Sequence, residues 1–366
     1  MRILVLFGGE SVEHEISIIT ANQVMSALQI NHTVIPIYIS KENKLYYDKK
    51  LFDLNEYKKT KSITKNRNEV KLVKKNKRCY VKCKNLKKMY FDLAFPIVHG
   101  KGMEDGTLLA YLKFKKIPAI GDNLSFYAVA QNKILTKRIL DGLNIKNSKY
   151  MEIDTKDFNN SLSFPVIVKP NTLGSSIGVC KVRNDEELIL AVEEALKYDK
   201  KVIVEEFIEN SKEYNISVVE KNGEIITSQI EEIVKVGDIL DYSQKYENGS
   251  KTKGMASTKR VFPALMDEQV KEEIENIAKT IYKSFDARGV IRIDFLYNGE
   301  VYVNEINSIP GSYSYYLWKG KFDFVELLDT VIEGAKRENF KENKLVKTIN
   351  KMTIFENYKG SNSKIK

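Results

Sequence analysis

Residues 289–307 read GVIRIDFLYNGEVYVNEIN. Two alternating β runs flank Asn298-Gly299, the strongest short hairpin signal. With a two-residue loop, Tyr297 faces Glu300. Pairing outward then sets Asp294 opposite Val303, Arg292 opposite Glu305 and Val290 opposite Asn307. Residues directly opposite share a face, so Arg292, Asp294, Glu305 and Asn307 are expected together, with Asp294 and Glu305 as diagonal neighbours about 7 Å apart or less. The other face carries Ile293, Phe295, Val301 and Ile306 and needs a core. The bland alternative is a cross-strand Arg–Glu pair on a solvated face, which stabilises little. Two acids, an amide oxygen and an arginine backed by an apolar face instead have the chemistry of a magnesium–phosphate site. Hard oxygens hold the ion and the guanidinium neutralises developing charge.

Upstream lie parts suited to phosphate. Lys169 sits in the apolar strand Pro165-Val-Ile-Val-Lys-Pro170, and burying an ammonium is costly unless an anion meets it. Leu173-Gly-Ser-Ser-Ile-Gly178 follows. It is no Walker A motif, and taken alone it reads as a hairpin turn. A strand lysine, a small-residue loop and the later hairpin together suggest ATP held between two β layers. Val204-Glu-Glu-Phe-Ile208 is the connector between them, and its strand-end backbone can hydrogen-bond a purine edge.

The remainder organises around these parts. Residues 2–7 (RILVLF) read as a strand buried on both faces. Gly8-Gly9 turns the chain, Ser11 is expected to N-cap a helix to about Leu28, and Thr33–Ser40 is the next strand, a doubly wound α/β beginning. Residues 43–90 are lysine-rich with short alternating pieces and read as a solvated β excursion. Nucleic-acid binding there lacks any accompanying signature. A buried strand at 91–98 runs into His99-Gly-Lys-Gly-Met-Glu-Asp-Gly106, followed by helix 107–115 and strand 117–120. A helix with Lys133 and Lys137, a β-rich segment 149–183, helix 185–197, strand 201–206 and a hairpin over 213–230 follow. Residues 235–260 read as a long polar loop, of a length that is usually functional or disordered. Helix 267–285 precedes the hairpin. Of the 366 residues 43% are hydrophobic, with Lys+Arg 59 against Asp+Glu 49. This composition excludes a disordered tail protein and a collagen-like chain. Three cysteines make no disulfide framework, and no apolar run reaches transmembrane length. The expectation is a soluble cytoplasmic protein of two or three domains.

The hairpin and its exit, Arg292-Ile-Asp294…Asn304-Glu305-Ile-Asn307-Ser-Ile-Pro-Gly311, resemble the ATP-grasp ligases, specifically the D-alanine–D-alanine ligase family. Phe7-Gly-Gly-Glu-Ser-Val-Glu-His-Glu-Ile-Ser17, the 99–106 loop, Lys169-Pro…Gly-Ser-Ser-Ile-Gly178 and Asp241-Tyr-Ser-Gln-Lys-Tyr246 match the same family in order, over about residues 1–335. The resemblance implies an α/β chain. An N-terminal doubly wound parallel-sheet domain (1–121) is followed by two α+β ATP-grasp domains, 122–208 and 209–340, the latter with a lid at 235–260. A basic, partly disordered tail (341–366) ends it. It further implies ligation of two D-alanines through an acyl phosphate for peptidoglycan precursors, with ATP as substrate and two Mg²⁺ ions (Mn²⁺ as substitute). Asp294, Glu305 and Asn307 would bind the metal. Lys133 and Lys169 would contact the ATP phosphates. Glu205 would face the adenine amino group, Ile208 would offer backbone and Glu213 would hold the ribose, with Ser176, Lys245 and Leu296 also binding ATP. Arg292 and the Gly311 amide would stabilise the oxyanion. Glu13 would pair with the first ammonium, joined through Ser175 to Tyr246, and His99, Ser312 and Tyr316 would line the amino-acid sites. A homodimer with no nucleic-acid or membrane partner is expected.

Three departures stand out. After Pro310-Gly311 the family usually continues Ser/Thr-Ser-His-Ser-Leu, whose last serine helps bind the second carboxylate; here Tyr316 stands at that serine. Asn132 precedes Lys133 where the family usually has Asp, and the tail beyond 340 has no counterpart. Lys245-Tyr246 matches the dipeptide-forming branch rather than the ester-forming one. The alternatives are an ATP-grasp ligase with a different second amino acid, an NAD-dependent dehydrogenase, which lacks Gly-x-Gly-x-x-Gly after the first strand, and a non-catalytic binding protein.

Overall fold

The computed structural model describes residues 1–59, 63–65, 67–100, 102, 104–121, 123–155, 158–234 and 259–346. The first part runs β1 (Arg2–Gly8), α1 (His14–Leu28), β2 (Thr33–Ile39), β3 (Leu45–Tyr47), α2 (Leu54–Lys59), β4 (Asn68–Glu69), β5 (Lys71–Lys75), β6 (Arg78–Lys82), β7 (Met89–Phe91), β8 (Leu93–Ile97) and α3 (Thr107–Phe114). One sheet has the order β4-β3-β2-β1-β8, with β1 parallel to both neighbours. The period of two in β1 divides it between two cores. Leu4 and Leu6 pack with Ile35, Ile37, Leu109 and Leu112, while Ile3, Val5 and Phe7 pack with Ile18, Val24, Met25 and Leu28 of α1. The lysine-rich excursion 43–90, expected as β, is only partly so: Lys49–Phe52 is 3₁₀ and Leu54–Lys59 is α2, while β5, β6 and β7 form a small antiparallel sheet that buries Leu72, Tyr80 and Val81 and leaves most of its lysines exposed. Of the expected strand 117–120 only Ala119 bridges β8, at Ala94.

Ser11 does not cap α1. The helix begins at His14, and the Ser11 hydroxyl instead accepts the Glu13 N–H and donates to the His99 carbonyl. A serine three residues before the helix start closes a local turn and ties it to the 99–106 loop.

The middle part runs α4 (Leu124–Gln131), α5 (Lys133–Gly142), β9 (Tyr150–Ile153), β10 (Val166–Pro170), β11 (Cys180–Val182), α6 (Asp185–Ala195) and β12 (Val202–Glu206). Asn132 caps α5 by accepting the Leu135 N–H, a bond an aspartate would also make. The antiparallel sheet β11-β10-β12-β9 sets Val166, Val168, Val202 and Val204 against Leu188, Val192 and Ala195 of α6. Its other face carries Lys169, opposite Ile203, and Glu205, opposite Ile167. Lys169 and Glu205 are therefore diagonal neighbours.

The last part comprises β13 (Lys212–Lys221), β14 (Glu224–Val234), β15 (Lys259–Val261), α7 (Glu268–Ser284), β16 (Ile291–Tyr297), β17 (Val301–Asn307), a 3₁₀ segment Gly311–Trp318 and α8 (Phe324–Lys344). Residues 259–260, expected as loop, belong to β15, and α8 continues past residue 340 to Lys344. The apolar face of β15-β14-β13-β16-β17 packs Ile291, Ile293, Phe295, Val303 and Ile306 with Ile274, Ala278 and Ile281 of α7.

The hairpin register differs from the expected one. Tyr297 faces Val301, so three residues form the loop, and a bulge then shifts the pairing. Asp294 ends directly opposite Glu305 and Arg292 opposite Asn307. Without the bulge, continuing the Phe295–Val303 register would set Asn304 against Asp294 and turn Glu305 and Asn307 to the core side. One extra residue re-aims both. The four polar residues share a face as expected, by a different pairing.

Candidate active site

Two polar faces meet, one from the middle sheet and one from the last. On the last sheet, the Arg292 guanidinium grips Asp294 with both prongs, Nε to Oδ1 at 2.6 Å and Nη2 to Oδ2 at 2.8 Å. Asn307 Nδ2 donates to Asp294 Oδ2 at 3.1 Å. From the facing side, Lys133 Nζ reaches Glu305 at 2.9 Å. Lys169 Nζ meets Glu205 at 2.7 Å and Asn304, the bulge residue, at 3.4 Å. Lys137 Nζ donates to Ser148 Oγ at 2.9 Å and sits 3.5 Å from Glu205.

Charge balance governs the ionisation here. Burial pushes the Glu205 carboxyl up, but Lys137 and Lys169 outweigh it and hold it down at about 2. Burial likewise raises Glu305, and Lys133 and Lys169 pull it below the usual carboxylate value. Asp294 goes the other way: burial raises it more than Arg292 lowers it. Lys137 is lowered, burial outweighing its acid partner.

The first-domain side completes the arrangement. Ser175 Oγ donates to Glu13 Oε1 at 2.5 Å, which is the expected contact between domains. Gly174 allows this approach, since a Cβ there would sit 3.1 Å from the Glu13 carboxylate. Ser175 and Ser176 both take left-handed backbone (φ 54 and 55) and are exposed. His99 is buried, and burial drives its ring down to about 4, leaving it neutral at physiological pH. Its Nε2 meets Thr20 Oγ1 at 3.1 Å, and the same Thr20 oxygen accepts the Ser312 N–H at 3.2 Å. After Gly311, Ser312, Tyr313 and Ser314 all adopt left-handed backbone (φ 53, 52 and 50). Such strain in non-glycine residues clusters at functional sites.

The nucleotide-side residues expected from the sequence are placed around the same faces. Ile208 is buried and its carbonyl accepts the Ser211 hydroxyl. Glu213 and Leu296 stand opposite each other on β13 and β16. Tyr316 is beside the site, but its hydroxyl donates to Glu231 at 2.9 Å. Lys245 and Tyr246 lie outside the described residues. Sequence alone assigns no role to Glu104, Thr20, Lys137, Glu231 or Arg260, although Glu104 lies inside the 99–106 loop motif and Lys137 one turn from Lys133. The other three carry no sequence signal and are found only through tertiary register. Two surface clefts, of about 430 and 680 Å³, lie elsewhere, one lined by Asn31 and Asp329, the other by Lys146 and Glu272.

Among the described residues no three His, Cys, Asp or Glu side chains converge on a metal site. The set here is two opposed carboxylates and the Asn307 amide, whose Nδ2 faces Asp294 and leaves its oxygen as a donor. Hard oxygens in this number suit Mg²⁺, which is held by few carboxylates plus substrate phosphates. No helix among the described residues is long and apolar enough to cross a membrane.

Two family models match: "D-ala D-ala ligase N-terminus" over residues 2–122 and "D-ala D-ala ligase C-terminus" over residues 141–333. A D-alanine–D-alanine ligase from Thermosipho africanus is 39% identical over 94% of this chain and 95% of its own length, and that of Clostridium acetobutylicum is 33% identical over 92% and 98%. Among solved structures, the VanG D-Ala:D-Ser ligase from Enterococcus faecalis aligns with a TM-score of 0.78 at 30% identity, over 91% of this chain and 99% of its own. The D-alanine–D-alanine ligase from Helicobacter pylori aligns with a TM-score of 0.72 at 31% identity, over 92% and 99%. With both halves matched in order and the two polar faces opposed, the chain belongs to the D-alanine–D-alanine ligase family.

Proposed function

We propose that the chain joins two D-alanines into D-alanyl-D-alanine with hydrolysis of ATP, supplying peptidoglycan precursors. The carboxylate of the first D-alanine attacks the γ-phosphate of ATP, giving an acyl phosphate and ADP. The amine of the second attacks the acyl carbon, the tetrahedral intermediate collapses, and phosphate leaves.

The observation that carries this reading is the meeting of the two polar faces through Lys133–Glu305 and Lys169–Asn304. Lys133 and Lys169 hold the transferring phosphates, with Ser176 in the small-residue loop and Lys245. Glu205, the Ile208 backbone and Leu296 hold adenine, and Glu213 the ribose. Glu13, fixed by Ser175, takes the first ammonium, and Tyr246 extends that link. Neutral His99 lines the first substrate, and Ser312 and Tyr316 stand toward the second. Arg292 and the Gly311 amide face the developing oxyanion, typically the largest catalytic contribution. Asp294, Glu305 and Asn307 hold two Mg²⁺ ions, with Mn²⁺ as a substitute, which neutralise phosphate charge when bound. The reading includes a cytoplasmic homodimer acting on ATP and small amino acids.

Phosphate release from ATP and Mg²⁺, measured over a panel of D- and L-amino acids with the product weighed by mass spectrometry, tests it. D-alanine should give phosphate and dipeptide in equal amounts. Release without a dipeptide, or preference for L-amino acids, would overturn it.

A further inference from the structure

One row crosses the last sheet. Glu231 stands opposite Asn215, Asn215 opposite Asp294, and Asp294 opposite Glu305. With strands about 4.8 Å apart, Glu231 lies two strands from the Arg292–Asp294 pair. It is 1% exposed, and three donors converge on it: Arg260 Nη1 at 3.3 Å, the Tyr316 hydroxyl at 2.9 Å and Asn215 Nδ2 at 3.1 Å. The Arg260 guanidinium also lies over the Tyr316 ring, 5.2 Å from its centroid.

Two consequences follow. A tyrosine hydroxyl has one proton, and Tyr316 donates it to Glu231. At the position where the sequence pattern expects a hydroxyl to meet the second carboxylate, none is left to donate. Arg260 has the opposite character. It carries five N–H donors in a planar fork, Glu231 accepts from Nη1, and 46% of the side chain remains exposed. Arg260 is tied to Glu231 in the row that runs through Asn215 to Asp294, so the cluster shares a sheet face with the Arg292–Asp294 pair two strands away. The first amino-acid site is elsewhere, at Glu13, Ser175 and His99.

We propose that Arg260 binds the α-carboxylate of the second amino acid, with Glu231 and Tyr316 as positioning residues that fix the guanidinium. This rests on the ligase reading above. The competing explanation is that Arg260 does no more than neutralise buried Glu231.

The two D-alanine constants, at the first and second sites, separate the explanations at saturating ATP. Arg260→Met leaves Glu231 buried with neutral donors only, which costs stability, so Arg260→Met/Glu231→Gln is measured beside it. Losing a hydrogen bond to a charged group corresponds to roughly a ten- to hundredfold change. Both variants should raise the second-site constant by about that factor, with the ATP and first-site constants unchanged. The wild-type preference for D-alanine over D-alaninamide as acceptor should collapse by the same factor, a change that a purely structural Arg260 would not produce. An unchanged acceptor preference in the double variant overturns the assignment of Arg260 alone. A wild type that ligates neither acceptor overturns the ligase reading and this inference with it.

Discussion

Glu104 offers a pH test of the junction between the first domain and the catalytic loop. It is 9% exposed, and its carboxyl accepts the Gly100 N–H at 2.6 Å and a backbone bond from Ile309, two residues before Gly311. Burial, and then the charge of Glu13, push its pKa from 4.5 to about 8. In the folded chain it keeps its proton up to about 8, while unfolded it ionises near 4.5. Between those values the unfolded state binds fewer protons, so stability falls as pH rises. The contribution is fully present below the unfolded value and is lost as pH passes the folded one. At 1.36 kcal/mol per unit, the full shift corresponds to about 5 kcal/mol, arriving at about 1.4 kcal/mol per pH unit. Glu104→Gln has no proton to lose. Its amide must face one of the two N–H donors, a cost of about 1–3 kcal/mol that does not vary with pH. The stability of Glu104→Gln relative to wild type should therefore climb steadily from pH 5 to 8. The chain has a single tryptophan, Trp318, fully buried in the segment after Gly311. Urea unfolding followed by its fluorescence thus reports the transition that matters. A difference between variant and wild type that stays constant from pH 5 to 8 would refute the buried neutral acid.

Three further outcomes are expected. Asp294→Asn/Glu305→Gln should stay folded but melt below wild type, because it leaves Arg292 and Lys133 without their acids, and should lose phosphate release by about a thousandfold or more, and chelating divalent ions should silence the wild type likewise; near-normal release from the variant removes the magnesium assignment. Ser175→Ala deletes the donor to Glu13 and should raise the first D-alanine constant about tenfold while leaving that for ATP alone; a rise confined to ATP would move Ser175 to the nucleotide. Lys169→Met leaves Glu205 buried with Lys137 and should cost about 3–5 kcal/mol of stability as well as ATP affinity. Adding Glu205→Gln should restore the stability but not the affinity, and a single variant as stable as wild type would contradict the paired burial.

The hairpin shows which signals a sequence transmits. Asn298-Gly299 marks where the chain reverses but not how many residues form the loop, and the bulge at Asn304 carries no glycine to announce it. The assumed register had neither the third loop residue nor the bulge. These two omissions compensate, so Arg292, Asp294, Glu305 and Asn307 reach one face either way, although their partners differ. The buried strand β1 and the amphipathic α7 are readable because each rests on local period, whereas the Ser175–Glu13 contact is expected only because the family resemblance implies it. Glu231–Arg260–Tyr316 and Glu104–Ile309 are not readable, because each joins residues distant in sequence through sheet register or loop docking.

The pairing inside the site has an energetic consequence that no single motif expresses. Lys133 is held by Glu305, Lys169 by Glu205, and Arg292 by Asp294. A buried charge left without a partner is expensive, whereas exchanging one partner for another is nearly neutral. On the proposed assignment, phosphates arriving at Lys133 and Lys169 would displace their carboxylates, and Glu305 would then need a cation in turn. On that assignment, binding the nucleotide without the metal would strand Glu305, while Glu205 keeps Lys137, and binding the metal without the nucleotide would strand Lys133. The proposed assignment therefore couples the two ligands at the Lys133–Glu305 pair, where each would remove the electrostatic penalty that the other would create. Affinity for nucleotide and for divalent ion should rise together, and Glu305, which holds Lys133 and is assigned to the metal, is the acid on which that coupling turns.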